Sequence, residues 1–164
     1  MVEEVRFNNH DKKEYPPMHT AEHIINQAMC RLFGTGRSTK AHIEKKKSRL
    51  DFHSNKQMGS AEVEALEKEV NAVIVQDLPV TYLLSTRSEA EQYGVDISRI
   101  PADSSDAVRI VKVGNYDTCL CIGCHVEHTL QIGIVEIYSH DYSPETETFR
   151  VRFRLRGADP VYDE

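Results

Sequence analysis

The chain has 164 residues, 40% of them apolar and 28% charged, with a formal net charge of −6. That length implies one domain with a core of its own, and the acidic balance argues against a dedicated DNA- or RNA-binding module, which is usually basic. No apolar run approaches the roughly 18 residues of a membrane span and the N-terminus is no signal peptide, so a cytoplasmic protein without membrane contact is expected.

Residues 1–17 are polar and end in Tyr15-Pro16-Pro17. The paired prolines are expected to bar a helix there and to set a sharp start just after. From His19 to about Phe33 the apolar positions Ile24, Ile25, Ala28, Met29, Leu32 and Phe33 follow the spacing of a helix with one buried face. Gly34 ends it as a C-cap. His19 and His23 stand four residues apart on this helix, so both imidazoles can point at one ion. Glu22 lies about 100° round the helix from His23 and reads as solvent-facing.

Residues 38–54 read as a hairpin, Thr39–Ile43 and Arg49–His53, with Lys45-Lys46-Lys47 as its turn. In the second strand Leu50 and Phe52 face in and the polar residues face out. The lysine run is either a solvated turn or a phosphate contact. A second helix begins with Ser60 as N-cap, carries Val63, Leu66, Val70, Val73 and Ile74 on one face, and runs to about Gln76 before Pro79. Val80–Ser85 reads as a strand, Ser88–Gln92 as a short helix capped by Ser88, and residues 94–107 as loop. Four strand candidates follow: Ala107–Val113, Tyr116–Cys121, Ile132–Tyr138 and Phe149–Leu155. The order of elements implies a single α+β domain over residues 1–164, its core about 15–156, with a largely antiparallel sheet and packed helices.

In the last strand Arg150, Arg152, Arg154 and Arg156 alternate with apolar residues, which puts four guanidiniums on one face. They are either paired with acids of a neighbouring element or form a phosphate-binding row. Arg150, Arg152, Arg154 and Lys46 are the candidate phosphate contacts.

Three of the four cysteines, Cys119, Cys121 and Cys124, crowd into six residues, which favours metal or thiol chemistry over a disulfide framework. Cys121-Ile122-Gly123-Cys124-His125 supplies a thiolate and an imidazole, with Gly123 expected to let the backbone turn so that the two converge. Joined to the helical pair, the set His19, His23, Cys121 and His125 suits zinc. Cys119 and Cys124 are either substitute ligands or inert neighbours. A catalytic zinc keeps a position for water, acidifies it and polarises a carbonyl, which is the chemistry of ester or amide hydrolysis. His19, His23 and Cys121 would then work through the metal and a water. His19-Thr20-Ala21-Glu22-His23 also fits the H-x-x-E-H pattern of certain zinc peptidases, although Cys121 and His125 have no role there.

His19-Thr20-Ala21-Glu22-His23-Ile24 and Cys121-Ile122-Gly123-Cys124-His125-Val126 resemble the paired motifs of the editing domain shared by alanyl- and threonyl-tRNA synthetases, the second additional domain. Asn71 in Val70-Asn71-Ala72-Val73-Ile74, Val108-Arg109-Ile110-Val111 and Leu130-Gln131-Ile132-Gly133 match the same context, so the likeness runs over roughly residues 15–140. The short chain is similar to the short form of the AlaX trans-editing proteins. That resemblance implies a synthetase editing-domain fold, bound Zn2+, and hydrolysis of Ser- or Gly-tRNA(Ala) as an aminoacyl-tRNA deacylase. A relative that holds zinc or tRNA without turnover is the alternative. The sequence departs from the alanyl pattern at Ile122, at Cys124 and at Cys119, which stands where an acidic residue is usual.

Overall fold

A computed structural model describes residues 15–95 and 107–163. The polar lead before Tyr15 and most of the loop expected over 94–107 lie outside those residues.

Helix α1 spans Pro16–Phe33. The two prolines form its first turn rather than preceding it. Their fixed φ suits that turn, and their missing N–H groups would have had no helical partner. Met18, Ala21, Ile24, Ile25, Ala28 and Met29 are fully buried along one face. Gly34 ends the helix at φ 68, a conformation open to glycine, and its N–H donates to the Cys30 carbonyl at 3.0 Å.

Strands β1 (Lys40–His42) and β2 (Ser48–His53) form the expected hairpin. Helix α2 covers Ser60–Ile74. Its cap is Gly59 rather than Ser60, with the Gly59 N–H donating to Glu62 Oε2 at 3.3 Å. Strand β3 (Val80–Thr86) leads into helix α3 (Arg87–Gln92), which Thr86 caps in place of Ser88 by accepting from the Glu89 N–H. Strands β4 (Ala107–Val113) and β5 (Asp117–Leu120) pair across the turn at Gly114. Residues Thr129–Ile132 form a 3-10 turn, so the next strand, β6, starts later and runs longer than expected, over Ile134–Ser143. Strand β7 is Thr148–Arg156.

The strands are antiparallel throughout, as expected, but they form two sheets, ordered β1-β2-β7-β6 and β3-β4-β5. Leu50, Phe52, Phe149, Val151 and Phe153 project from the inner face of the four-stranded sheet. They join the buried side chains of α1 and α2, with Val111 and Val113 of the smaller sheet, in one core. Gly133 sits at φ 83 where a Cβ would lie 2.3 Å from the Arg156 carbonyl oxygen, so only glycine lets β6 start beside the end of β7.

Candidate metal centre

The N-terminal half of α1 faces the loop that follows β5, and four side chains meet between them. His19, His23, Cys121 and His125 are all buried, and one donor atom from each lies within 4.8 Å of the others. His19 Nε2 is 3.3 Å from Cys121 Sγ across 102 residues of chain. Donors at about 2.0–2.3 Å from one tetrahedral zinc are themselves separated by roughly 3.3–3.8 Å, so this spacing fits. The His19 ring is stacked on the His125 ring at 4.3 Å, and His23 stands edge-on to both.

Each imidazole is oriented from behind. His19 Nδ1 faces the Cys124 carbonyl at 3.3 Å, His125 Nδ1 faces the Thr20 hydroxyl at 2.9 Å, and His23 Nδ1 lies 3.6 Å from Asp117 Oδ2. At His19 and His125 the ring nitrogen engaged by an oxygen leaves the other, Nε2, for a metal ion. Two buried ring nitrogens have no hydrogen-bond partner: His23 Nδ1, which faces Asp117 only at ion-pair distance, and His125 Nε2, whose burial is costly unless something coordinates it. The four donors therefore fit zinc.

Protonation agrees with that fit at Cys121 and His125, whereas His23 would have to give up a proton to bind a metal. Burial raises the Cys121 thiol, but the imidazoles around it, His125 first, override this and bring it down to about 2, so the sulfur is a thiolate. The Gly123 N–H also donates to this sulfur at 3.3 Å. Burial, against the pull of the thiolate, takes His125 down to about 4, with His23 and His19 adding repulsion. Burial lowers His23 as well, yet the Asp117 carboxylate and the Cys121 sulfur carry it up to about 9.

Asp117 and its partner Arg37 carry no motif. The Arg37 guanidinium grips Asp117 with Nη1 to Oδ1 at 2.8 Å and Nη2 to Oδ2 at 3.3 Å. Burial alone would raise the Asp117 carboxyl, but His23 and Arg37 hold it below the usual carboxylate range. One signal was present: Asp117, Cys119 and Cys121 alternate, which places them on one face of a strand. Nothing local marked Arg37, which follows the end of α1. Two further residues brace the loop. Arg109 donates from Nε to the Cys121 carbonyl at 2.9 Å and from Nη2 to the Gly123 carbonyl. The Tyr82 hydroxyl accepts from the His125 N–H at 3.2 Å. Gly123 itself is not among the glycines with positive φ, so the convergence of Cys121 and His125 does not depend on left-handed backbone there.

Glu22 does not face solvent. Its side chain is only 18% exposed and Oε2 lies 3.7 Å from His19 Nε2, the nitrogen on the ion side. Burial raises its carboxyl pKa against the pull of His23 and His19. Cys119 stays outside the four-donor group: burial pushes its thiol up to about 12, and its Sγ donates to the Leu120 carbonyl. Cys124 is exposed and contributes only its carbonyl, to His19.

The arginine row lies elsewhere. It occupies the face of β7 opposite Val151 and Phe153, turned away from α1, so it forms no wall of the cluster. Each guanidinium meets an acid: Arg150 with Asp51 at 2.7 Å, Arg152 with Asp141 at 2.8 Å, and Arg154 at 2.7 Å and Arg156 both with Glu136. Asp51, expected to face water, is 3% exposed beneath Arg150. Lys46 is exposed at the hairpin tip.

A family model described as the threonyl and alanyl tRNA synthetase second additional domain matches residues 108–147. Over 122 residues, 74% of its length, the chain is 34% identical to the alanine–tRNA ligases of Bacillus subtilis (strain 168) and of Frankia alni. It is 32% identical over 121 residues to the alanine–tRNA ligase of Methanococcus vannielii. The chain spans 14% of the length of each of these relatives.

Proposed function

The chain belongs to the family of the threonyl- and alanyl-tRNA synthetase second additional domain, and from that premise we propose that it is a zinc-dependent deacylase of mischarged aminoacyl-tRNA, acting on Ser- or Gly-tRNA(Ala). The observation that carries this reading is the convergence of three imidazoles and a thiolate, all buried, in a relative of alanine–tRNA ligases. His19, His23, Cys121 and His125 would hold the metal. The chemistry a bound zinc supplies is Lewis acidity, which polarises an ester carbonyl and activates water.

The protein's own groups do the rest. Asp117, Thr20 and the Cys124 carbonyl keep the three rings aimed at one point, so little reorganisation is needed when substrate arrives. Glu22 Oε2, beside the ion side of His19, is placed to accept a hydrogen bond from the attacking water and to hold its proton. As the ester C–O bond breaks, that proton passes to the departing ribose oxygen. A desolvated carboxyl with a raised pKa suits such an exchange. The Lys45–Lys47 turn and the arginine face, which supply none of the four donors, would meet phosphates of the tRNA.

The test is a deacylation assay over a panel of mischarged tRNAs, with zinc measured by elemental analysis. The wild-type protein should release serine or glycine from tRNA(Ala) and carry one zinc per chain. His23→Ala and Cys121→Ala should each lose the metal and all turnover. Full zinc in both variants, or no substrate in the panel, would sink the proposal.

A further inference from the structure

Resting on that reading of the site, we infer that Tyr82 is a stacking platform for the 3′-terminal nucleoside of the acylated RNA. Three described tyrosines are exposed, Tyr82, Tyr93 and Tyr138, and of these Tyr82 touches a residue of the cluster. Its ring centroid is 6.3 Å from that of His125, and its hydroxyl is held by the His125 N–H. The Arg109 guanidinium lies 4.5 Å from the ring centroid and covers one face, while 47% of the residue remains open to solvent. Register pairs Tyr82 with Val111 and Leu84 with Arg109, so Tyr82, Leu84 and Arg109 share one face of the small sheet. Leu84, 66% exposed, extends that face as an apolar shelf beyond Tyr82.

The occupant follows from the chemistry of the ester. An aminoacyl group on RNA is carried by the ribose of the last nucleotide, so its base lies one sugar away from the reacting carbonyl. A carbonyl brought to the cluster therefore carries a base into the neighbourhood of His125, where Tyr82 presents an aromatic face already immobilised at its hydroxyl and backed by a cation. Base–aromatic stacking of this kind needs no hydrogen-bond readout, and a guanidinium behind the ring strengthens it. The arginine row cannot serve here, because it lies on the other side of the four-stranded sheet.

The experiment measures binding rather than turnover. The probe is the non-hydrolysable seryl amide of 3′-amino-3′-deoxyadenosine, titrated calorimetrically into zinc-loaded wild-type protein, Tyr82→Phe and Tyr82→Leu, with serine methylamide as the nucleoside-free control. Tyr82→Phe keeps the ring and should bind within about twofold of wild type, whereas Tyr82→Leu should bind about tenfold more weakly or worse, as loss of a stacked base predicts. Zinc content and binding of the control, measured in all three, separate loss of stacking from any loosening of the loop that the Tyr82 hydroxyl braces. The inference is overturned if the leucine variant binds as tightly as wild type. It is also overturned if the phenylalanine variant loses as much as the leucine variant, or if the wild-type protein does not bind the probe. Tyr82-dependent binding in a protein that releases no amino acid from tRNA would uphold the platform and remove the deacylase reading instead.

Discussion

His23 shows how a candidate ligand is prepared by residues outside the four-donor group. Its Nδ1 lies 3.6 Å from Asp117, and Asp117 is clamped by both nitrogens of the Arg37 fork, so the carboxylate facing the ring is fixed. Carboxylate partners of this kind typically account for about 10- to 100-fold in metal affinity. Asp117→Asn should therefore bind zinc more weakly by about that factor, measured by competition with a chromogenic chelator, while the apo protein keeps its far-UV spectrum. Unchanged affinity would remove Asp117 from the site. Glu22 differs in kind, since it borders the ion side of His19 without belonging to the four-donor group. Glu22→Gln should keep full zinc and lower the rate of ester hydrolysis by about 10²-fold or more, the range for loss of a positioned acid–base group. Loss of zinc in that variant would instead make Glu22 a support for the ligands.

At the scale of elements, helix α2 closes an open sheet edge. Strand β6 ends the four-stranded sheet, and an edge strand offers unpaired backbone groups. Asn71 covers Val135 with both halves of its amide, donating to the carbonyl and accepting from the N–H at 2.9 Å each. One turn earlier, Glu67 Oε2 accepts from the Ile137 N–H at 2.8 Å. A helix side chain thus stands in for the missing strand. Asn71→Leu would strand both Val135 groups, and each buried unpaired group costs about 1–3 kcal/mol. The expected outcome is a fall in the urea midpoint at constant slope, with aggregation that rises with protein concentration. An unchanged midpoint would show that Val135 finds water or another partner at no cost.

Charge is organised at the scale of the whole molecule. The chain is acidic, with a net −6, yet the outer face of the four-stranded sheet is not. Lys40, Arg49, Arg150, Arg152, Arg154 and Arg156 share that face with Asp51, Asp141 and Glu136, which leaves an excess of positive charge. Arg152→Glu combined with Arg154→Glu should weaken tRNA binding and flatten its dependence on salt, leaving zinc content and hydrolysis of a small aminoacyl ester unchanged. If the arginines serve only their acids, the pair of substitutions will lower the melting temperature and leave the salt dependence as it was. The loss will be small, because exposed ion pairs contribute about 0–1 kcal/mol. Asp51, buried on the same face, sets a pH dependence. The Arg150 guanidinium holds its carboxyl below the ordinary value, against the effect of burial. A depressed folded-state pKa contributes stability that is complete above the unfolded value of about 3.9 and is lost as pH falls through the folded one. Wild-type stability should therefore drop more steeply than that of Asp51→Asn below about pH 4. Parallel profiles would mean that Asp51 titrates alike in both states.

Periodicity and local chemistry were enough to read α1 with its histidine pair, the β1–β2 hairpin, the apolar stripe of α2, and the alternation of β7. Each depends on residues within one or two turns of each other. The composition of Cys121-Ile122-Gly123-Cys124-His125 was equally plain, because zinc donors are few in type and these stand close together. Where the sequence misled, the deciding partner was distant along the chain. The angle of Glu22 on its helix points to solvent, but the fold buries it and raises its pKa, with repulsion from Cys121 adding to that rise. Asp51 was assigned to water by alternation, but β7 lays Arg150 over it. Division of the strands into two sheets, the grip of Arg37 on Asp117, and the match of each arginine to an acid rest on which strand lies opposite which. That choice is made by burying Phe52, Phe149 and Phe153 against α1 and α2, a property of the packed core that no window of sequence contains.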